Sequence, residues 1–236
     1  MNYDVLIFDA DDTLFDFAAS ERIALRNTIL DFQIDYDEAV HLPIYQTIND
    51  AIWKEFENGT ITQKKLKTER FRRLSTTLKV DFDEQEFATR YMQHLADASI
   101  LLPKAEELVL TLSKKVRMAI ITNGLTDVQE KRIRKSVIAR HFEVIAISEE
   151  LGIAKPDPGI FEYVFDRMKI EDRTKVLMIG DSLHSDIQGG INAGIATCWY
   201  RSGDSRNPKG IQAKYEIEDL DQLLEILSEK LKNHKK

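Results

Sequence analysis

The feature that most restricts the fold of this chain is an alternation that begins at Pro103. Short apolar runs at 116–121, 142–147, 176–179, 195–200 and, more weakly, Tyr215-Glu216-Ile217 are separated by stretches with helical periodicity. Phe161, Val164, Phe165 and Met168 share one helical face behind an Asp157-Pro158 start. Leu220, Leu223, Leu224, Leu227 and Leu231 trace a closing amphipathic helix. Strands that alternate with helices form βαβ units, whose sheet is parallel and covered on both faces. The early run Val5-Leu6-Ile7-Phe8 has the length and composition of another buried strand of that sheet. The expected fold class is therefore α/β, a doubly wound parallel sheet.

Residues 17–100 follow a different rule. Leu25, Ile29 and Phe32 share a helical face, as do Ile44, Ile48 and Ile52, and Phe87, Tyr91 and Leu95. Asp83 followed by Glu86 reads as a capping box, and Pro43 as the start or the kink of its helix. No strand pattern interrupts them. A bundle of about four helices is expected here, inserted into a core made of 1–16 and 101–236. Because it follows directly on the loop at Asp9 and Asp11, the insertion is expected to overhang that loop as a lid.

Composition narrows the function classes. The 236 residues, 43% of them hydrophobic, suffice for one large domain or a domain with an insertion. No apolar stretch is long enough to cross a bilayer, and no basic segment followed by an apolar core opens the chain, which argues against secretion. The single Cys198 suits a reducing cytoplasm, and its apolar surroundings from Ile195 to Tyr200 make it a packing residue rather than a nucleophile. A net charge of −7 disfavours nucleic-acid polymers as partners, while a small anion can still bind where a site supplies its own cations. A cytoplasmic monomer or weak homodimer, with a frayed basic tail at 230–236, is the expectation.

Chemistry-bearing residues fall at strand ends. Asp9-Ala10-Asp11-Asp12-Thr13 follows Val5-Leu6-Ile7-Phe8, Thr122-Asn123-Gly124 follows the run at 116–121, and Gly180-Asp181 with Asp186 follows the run at 176–179. Lys155-Pro156-Asp157-Pro158 comes after the run at 142–147 and a short acidic connection. In a parallel sheet these ends lie along one edge, so residues distant in sequence converge. Four carboxylates, an ammonium, a hydroxyl and loop amides suit phosphoryl transfer through an aspartyl-phosphate. A phosphate monoester repels an anionic nucleophile, so Mg²⁺, which prefers oxygen ligands, is expected as cofactor. Asp9 and Asp181 would supply carboxylates to it and Asp11 its backbone carbonyl, with Asp186 holding a bound water or orienting its neighbours. Lys155 and Thr122 would bind the phosphoryl oxygens, and Asp11 would protonate the leaving alkoxide and then take a proton from the hydrolytic water.

The ordered set Asp9-x-Asp11-x-Thr13, Thr122, Lys155 and Gly180-Asp181 with Asp186 resembles the four motifs of the haloacid dehalogenase-like (HAD) phosphatase superfamily, across nearly the whole chain. The resemblance implies a Rossmann-like HAD core with a helical cap at 17–100. It also implies Asp9 as nucleophile, Asp11 as general acid/base, Thr122 and Lys155 as phosphate ligands, and Asp181 and Asp186 on the Mg²⁺ side. Phe8 to Phe15, Ile120 to Gly124, Ile147 to Pro156, Gly189 to Trp199 and Asn58-Gly59-Thr60-Ile61-Thr62 are similar to a bacterial subgroup of pyrimidine 5′-nucleotidases. What that implies is dephosphorylation of nucleoside monophosphates such as UMP, dUMP and dTMP. A sugar-phosphate phosphatase or phosphomutase of the same superfamily is the alternative, and a phospho-accepting regulatory module the reading from another class.

Other residues have ordinary readings. Gly189-Gly190-Ile191-Asn192-Ala193-Gly194 follows a helix rather than a strand, so its glycines are read as helix-end residues, not as a dinucleotide fingerprint. His184 reads as a helix-surface histidine, and His41, His94 and His141 lack partners at zinc-ligand spacing. Lys54, Lys64, Lys65, Lys67, Arg70, Arg72 and Arg73 read as a solvated basic face, with guidance of an anionic substrate as the functional alternative. Trp53 and Phe56 read as core, with stacking on a base as the functional alternative, and Phe17, Asn58 and Gly59 as lid contacts. Asn123 and Gly124 read as phosphate-loop amides.

Overall fold

The computed structural model describes residues 2–201, 207 and 210–228. Leu231 and the tail at 230–236 lie outside them. The chain divides into two compact units, one formed by Met1–Phe17 and Ser99–Lys236 and the other by Ala18–Ala98.

Four helices make up the inserted stretch: α1 (Phe17–Asp31), α2 (Glu38–Glu57), α3 (Gln63–Leu78) and α4 (Glu84–Asp97). Side chains stop the fraying of three of their N-termini: Asp37 accepts from the Ala39 amide, Thr62 from that of Lys65 and Asp83 from that of Glu86. Pro43 lies inside α2 and does not begin it, because the Asp37 cap starts the helix at Glu38. The interior of this unit is aromatic. The Phe71 ring sits 5.1 Å from both Phe87 and Tyr91, and Tyr45 packs 5.3 Å from Tyr91. The expected basic face needs one correction. Lys54, Lys64, Lys65 and Arg72 are exposed, but Arg70 is buried, with its guanidinium 4.9 Å over the Phe71 ring and donating to Asn49 Oδ1. Its position on the apolar face of α3, beside Leu66, Phe71 and Leu74, overrides its charge. Trp53 and Phe56 are half-buried against each other, edge to face.

The other unit is built on six strands: β1 (Val5–Phe8), β2 (Arg117–Thr122), β3 (Val144–Ile147), β4 (Val176–Gly180), β5 (Ala196–Tyr200) and β6 (Tyr215–Ile217). Their order is β3-β2-β1-β4-β5-β6, and every neighbouring pair is parallel. The chain between them forms α5 (Ala105–Leu112), α6 (Thr126–Arg132), α7 (Ser148–Leu151), α8 (Gly159–Met168), α9 (Gln188–Asn192) and α10 (Gln222–Ser228). Alternation along each strand divides the core in two. Leu6, Phe8, Met118, Ile120, Leu177 and Ile179 pack with Leu108, Leu112, Leu223 and Leu227. Val5, Ile7, Ala119, Ile121 and Met178 pack with Ile160, Phe161, Val164 and Phe165 of α8. Helices on both faces make the sheet doubly wound.

Gly189 and Gly190 are not helix-end residues, for they sit inside α9. A Cβ on Gly189 would meet the Phe161 ring at 2.9 Å, and one on Gly190 would meet Thr197 Cγ2 at 2.6 Å, so close helix–sheet packing accounts for both. The helix-ending role belongs to Gly194, at φ +72°. Cys198 is buried in the core, where loss of solvation pushes its thiol up to about 12.

Candidate active site

Strand order places the chemistry. β2, β1 and β4 are adjacent, and the order reverses around β1, where open α/β sheets form a crevice beyond the carboxyl ends of their strands. Asp9 directly follows β1, and its amide donates to Ile179 O across the β1–β4 pair at 2.9 Å. Thr122 is the last residue of β2, and Asp181 directly follows Gly180, the last of β4.

Lys155 comes to this edge from the loop between α7 and α8. The Asn123 side chain clasps its backbone from both sides, donating to Lys155 O and accepting from the Lys155 amide, each at 2.8 Å. The ammonium then donates to Asp9 Oδ1, to Asp186 Oδ1 at 2.7 Å and to Ile121 O at 2.8 Å. Asp186 lies in a π-helical turn, Leu183–Ile187, a rare conformation that recurs at functional sites. It is fully buried, and its Oδ2 accepts from the Ser182 amide at 2.9 Å. Gly180 leaves room for it, since a Cβ there would lie 2.3 Å from Asp186 Oδ2. Asp181 accepts weakly from Thr13 Oγ1 at 3.3 Å, and its carbonyl from the Trp199 indole at 2.8 Å.

The site is overloaded with negative charge. Burial pushes Asp9 up to about 8; Lys155 opposes this, and Asp186 and Asp11 add to it. Burial, followed by repulsion from Asp186, Asp9 and Asp12, holds Asp181 well above the ordinary carboxylate range. Burial works against the Lys155 ammonium as well, yet Asp186 and Asp9 overcome it and hold its pKa above the usual lysine value. Asp9, Asp181 and Asp186 each bring a carboxylate oxygen within 4.8 Å of the others. Three hard oxygens around one point, with a single ammonium to balance them, fit a divalent cation of the Mg²⁺ type.

The structure brings Asp9, Lys155, Asp181 and Asp186 together, with Thr122 buried at the next strand end. The Asp11 carboxylate is not one of the three. It is held instead by Gln129 Nε2 at 2.8 Å and Arg132 NH1 at 2.5 Å. Gly124 is buried against Gln129 rather than open to the loop surface. His184 is exposed, and Asn58 caps the C-terminus of α2. Phe17 packs with its ring 5.5 Å from the Arg132 guanidinium. Gln129 and Arg132 went unread in the sequence. They occupy the apolar stripe formed by Leu125, Val128 and Ile133, all buried. Polar residues falling in such a stripe are the signal that would have found them.

Among proteins of known kind, a haloacid dehalogenase-like hydrolase family profile matches residues 3–194. The pyrimidine 5′-nucleotidase YjjG of Escherichia coli is 34% identical over 96% of this chain and 99% of its own. The pyrimidine 5′-nucleotidase PynA of Streptococcus pneumoniae is 34% identical over 98% of each. The crystal structure of the HAD-hydrolase YfnB of Bacillus subtilis, bound to magnesium, superposes with a TM-score of 0.91 at 35% identity, covering 97% of this chain and 100% of that one.

Proposed function

The chain belongs to the haloacid dehalogenase-like hydrolase family, and from that premise we propose that it hydrolyses pyrimidine nucleoside 5′-monophosphates such as UMP, dUMP and dTMP through an aspartyl-phosphate on Asp9. The observation that carries the reading is the trio Asp9, Asp181 and Asp186 gathered beside one buried ammonium, Lys155. The 34% identity to two pyrimidine 5′-nucleotidases supports the substrate class. We take the cofactor to be Mg²⁺, held by Asp9, Asp181 and Asp186, and the magnesium bound by the Bacillus relative supports this. When bound, the ion screens the repulsion between the phosphate and its anionic nucleophile.

The protein's own groups do the rest. An Asp9 oxygen attacks phosphorus, the bond to the nucleoside oxygen breaks, and Asp11 gives that oxygen a proton. Water then attacks the phosphorus of the aspartyl-phosphate, Asp11 takes the water's proton, and inorganic phosphate leaves Asp9 a carboxylate again. Lys155 and Thr122 bind the phosphoryl oxygens as charge spreads over them, with the Asn123 and Gly124 amides at the same loop. We assign the choice of leaving group to the helical insertion at 17–100, as the cap of a core made of 1–16 and 101–236. No helix among the described residues is long and apolar enough to cross a membrane, which suits a small-molecule phosphomonoester met in the cytoplasm.

A phosphate-release screen with Mg²⁺ tests the reading. The expected result is steady turnover of UMP, dUMP or dTMP, lost in EDTA and in Asp9→Asn. Faster turnover of a hexose phosphate than of any nucleotide would move the assignment to sugar phosphates. A phosphorylated Asp9 that persists without release of phosphate would overturn the hydrolase assignment.

A further inference from the structure

We propose that Gln129 and Arg132 are positioning residues that aim the Asp11 carboxylate for proton transfer, and that residue 124 is glycine so that the Gln129 side chain can reach it. This rests on the phosphatase reading above. Both residues lie on the buried face of α6, where a polar side chain is costly unless it is bound. Each is bound to the same carboxylate, one oxygen apiece: Arg132 NH1 to Oδ1 at 2.5 Å and Gln129 Nε2 to Oδ2 at 2.8 Å. A grip on both oxygens fixes the plane of the group as well as its place.

The two holders are themselves fixed. The Arg132 guanidinium lies 5.5 Å from the ring centres of both Phe15 and Phe17, and its Nε and second terminal nitrogen have no partner among the described residues. Its hydrogen bonding is thus directed at Asp11 alone. The Gln129 amide also stands 3.4 Å from Thr122 Oγ1, so it spans the acid/base and the hydroxyl assigned to the phosphate. Gly124 does not have a positive φ, so its backbone does not call for glycine. Its constraint is space. A Cβ there would lie 2.4, 2.5 and 2.8 Å from Nε2, Cγ and Cδ of Gln129, its three nearest atoms, so any side chain at 124 pushes the amide off Asp11.

Substrate choice isolates the effect. Nitrophenolate leaves phosphorus without needing a proton, so with p-nitrophenyl phosphate only the second step, hydrolysis of the aspartyl-phosphate, depends on Asp11. With UMP both steps do. Wild type, Gln129→Ala, Gly124→Ala and the double variant are compared with Mg²⁺ in rapid-mixing and steady-state assays. In both single variants the nitrophenolate burst is expected to rise to one per active site, followed by a steady rate lowered about 10- to 100-fold. UMP turnover falls similarly, and the loss lies chiefly in kcat, since the group displaced acts on the leaving oxygen and the water and not on the bound phosphate. The double variant matches Gln129→Ala alone, because shortening the side chain at 129 removes what the new Cβ strikes. Should Gln129→Ala fail to fold, Gly124→Ala carries the same test. Unchanged rates, a nitrophenolate step slowed together with the hydrolytic one, a rise in KM alone, or multiplying losses in the double variant would each overturn the proposal. A wild-type protein inert toward both substrates would defeat the phosphatase reading and this inference with it.

Discussion

Replacing Lys155 with methionine removes the one ammonium that balances the carboxylate trio while keeping most of the side chain's volume. The Lys155 side chain is 1% exposed and that of Asp186 0%, so water cannot take the lost partner's place. Removing one member of a buried ion pair costs about 3–5 kcal/mol, because the other is left charged and unpaired. The unit that holds the site contains about 155 residues, and at about 2.1 cal/mol/K of unfolding entropy per residue that cost lowers its melting temperature by about 9–15 °C. The sign of the pH dependence follows from Asp9. Its folded pKa is raised to about 8, so between about pH 4 and 8 the folded state holds more protons than the unfolded one, and stability falls as pH rises through that window. Without the ammonium the effect is stronger, so the deficit of Lys155→Met is larger at pH 8 than at pH 5. Calorimetry in EDTA measures both numbers. Added Mg²⁺ should then raise the variant's melting temperature more than that of the wild type, since the ion supplies the missing positive charge. A variant that melts within about 2 °C of wild type in EDTA at pH 8 would refute the reasoning from uncompensated charge.

Two further outcomes are expected. Gly180→Ala places a methyl 2.3 Å from Asp186 Oδ2, and Asp186 can move only by giving up the Ser182 amide or Lys155; the loss is about 3–5 kcal/mol in chemical denaturation, and a loss under about 1 kcal/mol would mean the π-helical turn yields freely. In the helical unit, hydrogen bonding from Arg72 and then Arg73, against some burial, depresses Glu69 to about 2. Its contribution is present above the unfolded value near 4.3 and is lost as pH falls toward 2. For so accessible a group Glu69→Gln should cost about 1 kcal/mol or less at pH 7 and less still at pH 3, and an equal cost at both would count against the ion pair.

Much of the core was legible because its signals are local. β1 and β4 are continuous apolar runs, Asp83 caps α4 where expected, and the strand-end clusters needed only the parallel topology to converge. The run at 142–147 proved shorter, since Phe142 and Glu143 stand outside β3, behind a tight turn at Ala139–His141. What escaped were charges whose surroundings come from elsewhere in the chain. Arg70 lies in a basic run and Arg132 is flanked by Lys131 and Arg134, so each looks solvated until tertiary packing turns it inward. The helix-end reading of Gly189 and Gly190 failed for a related reason. At 124, 180, 189 and 190 the demand for a hydrogen atom is set by Gln129, Asp186, Phe161 and Thr197, and no turn signal encodes that.

The pairing of β1 with β2 on one side and β4 on the other bears on how this protein is made. The segment Val5–Phe8 emerges from the ribosome well before either neighbour, and its second flank is complete only at Gly180. At about 5–20 residues per second, four consecutive greasy side chains wait roughly 10–30 s for shelter. Ala18–Ala98, contiguous in sequence, can by contrast finish folding during that delay. Val5–Phe8 is therefore a segment that nascent-chain quality control can engage, and it lies right beside Asp9.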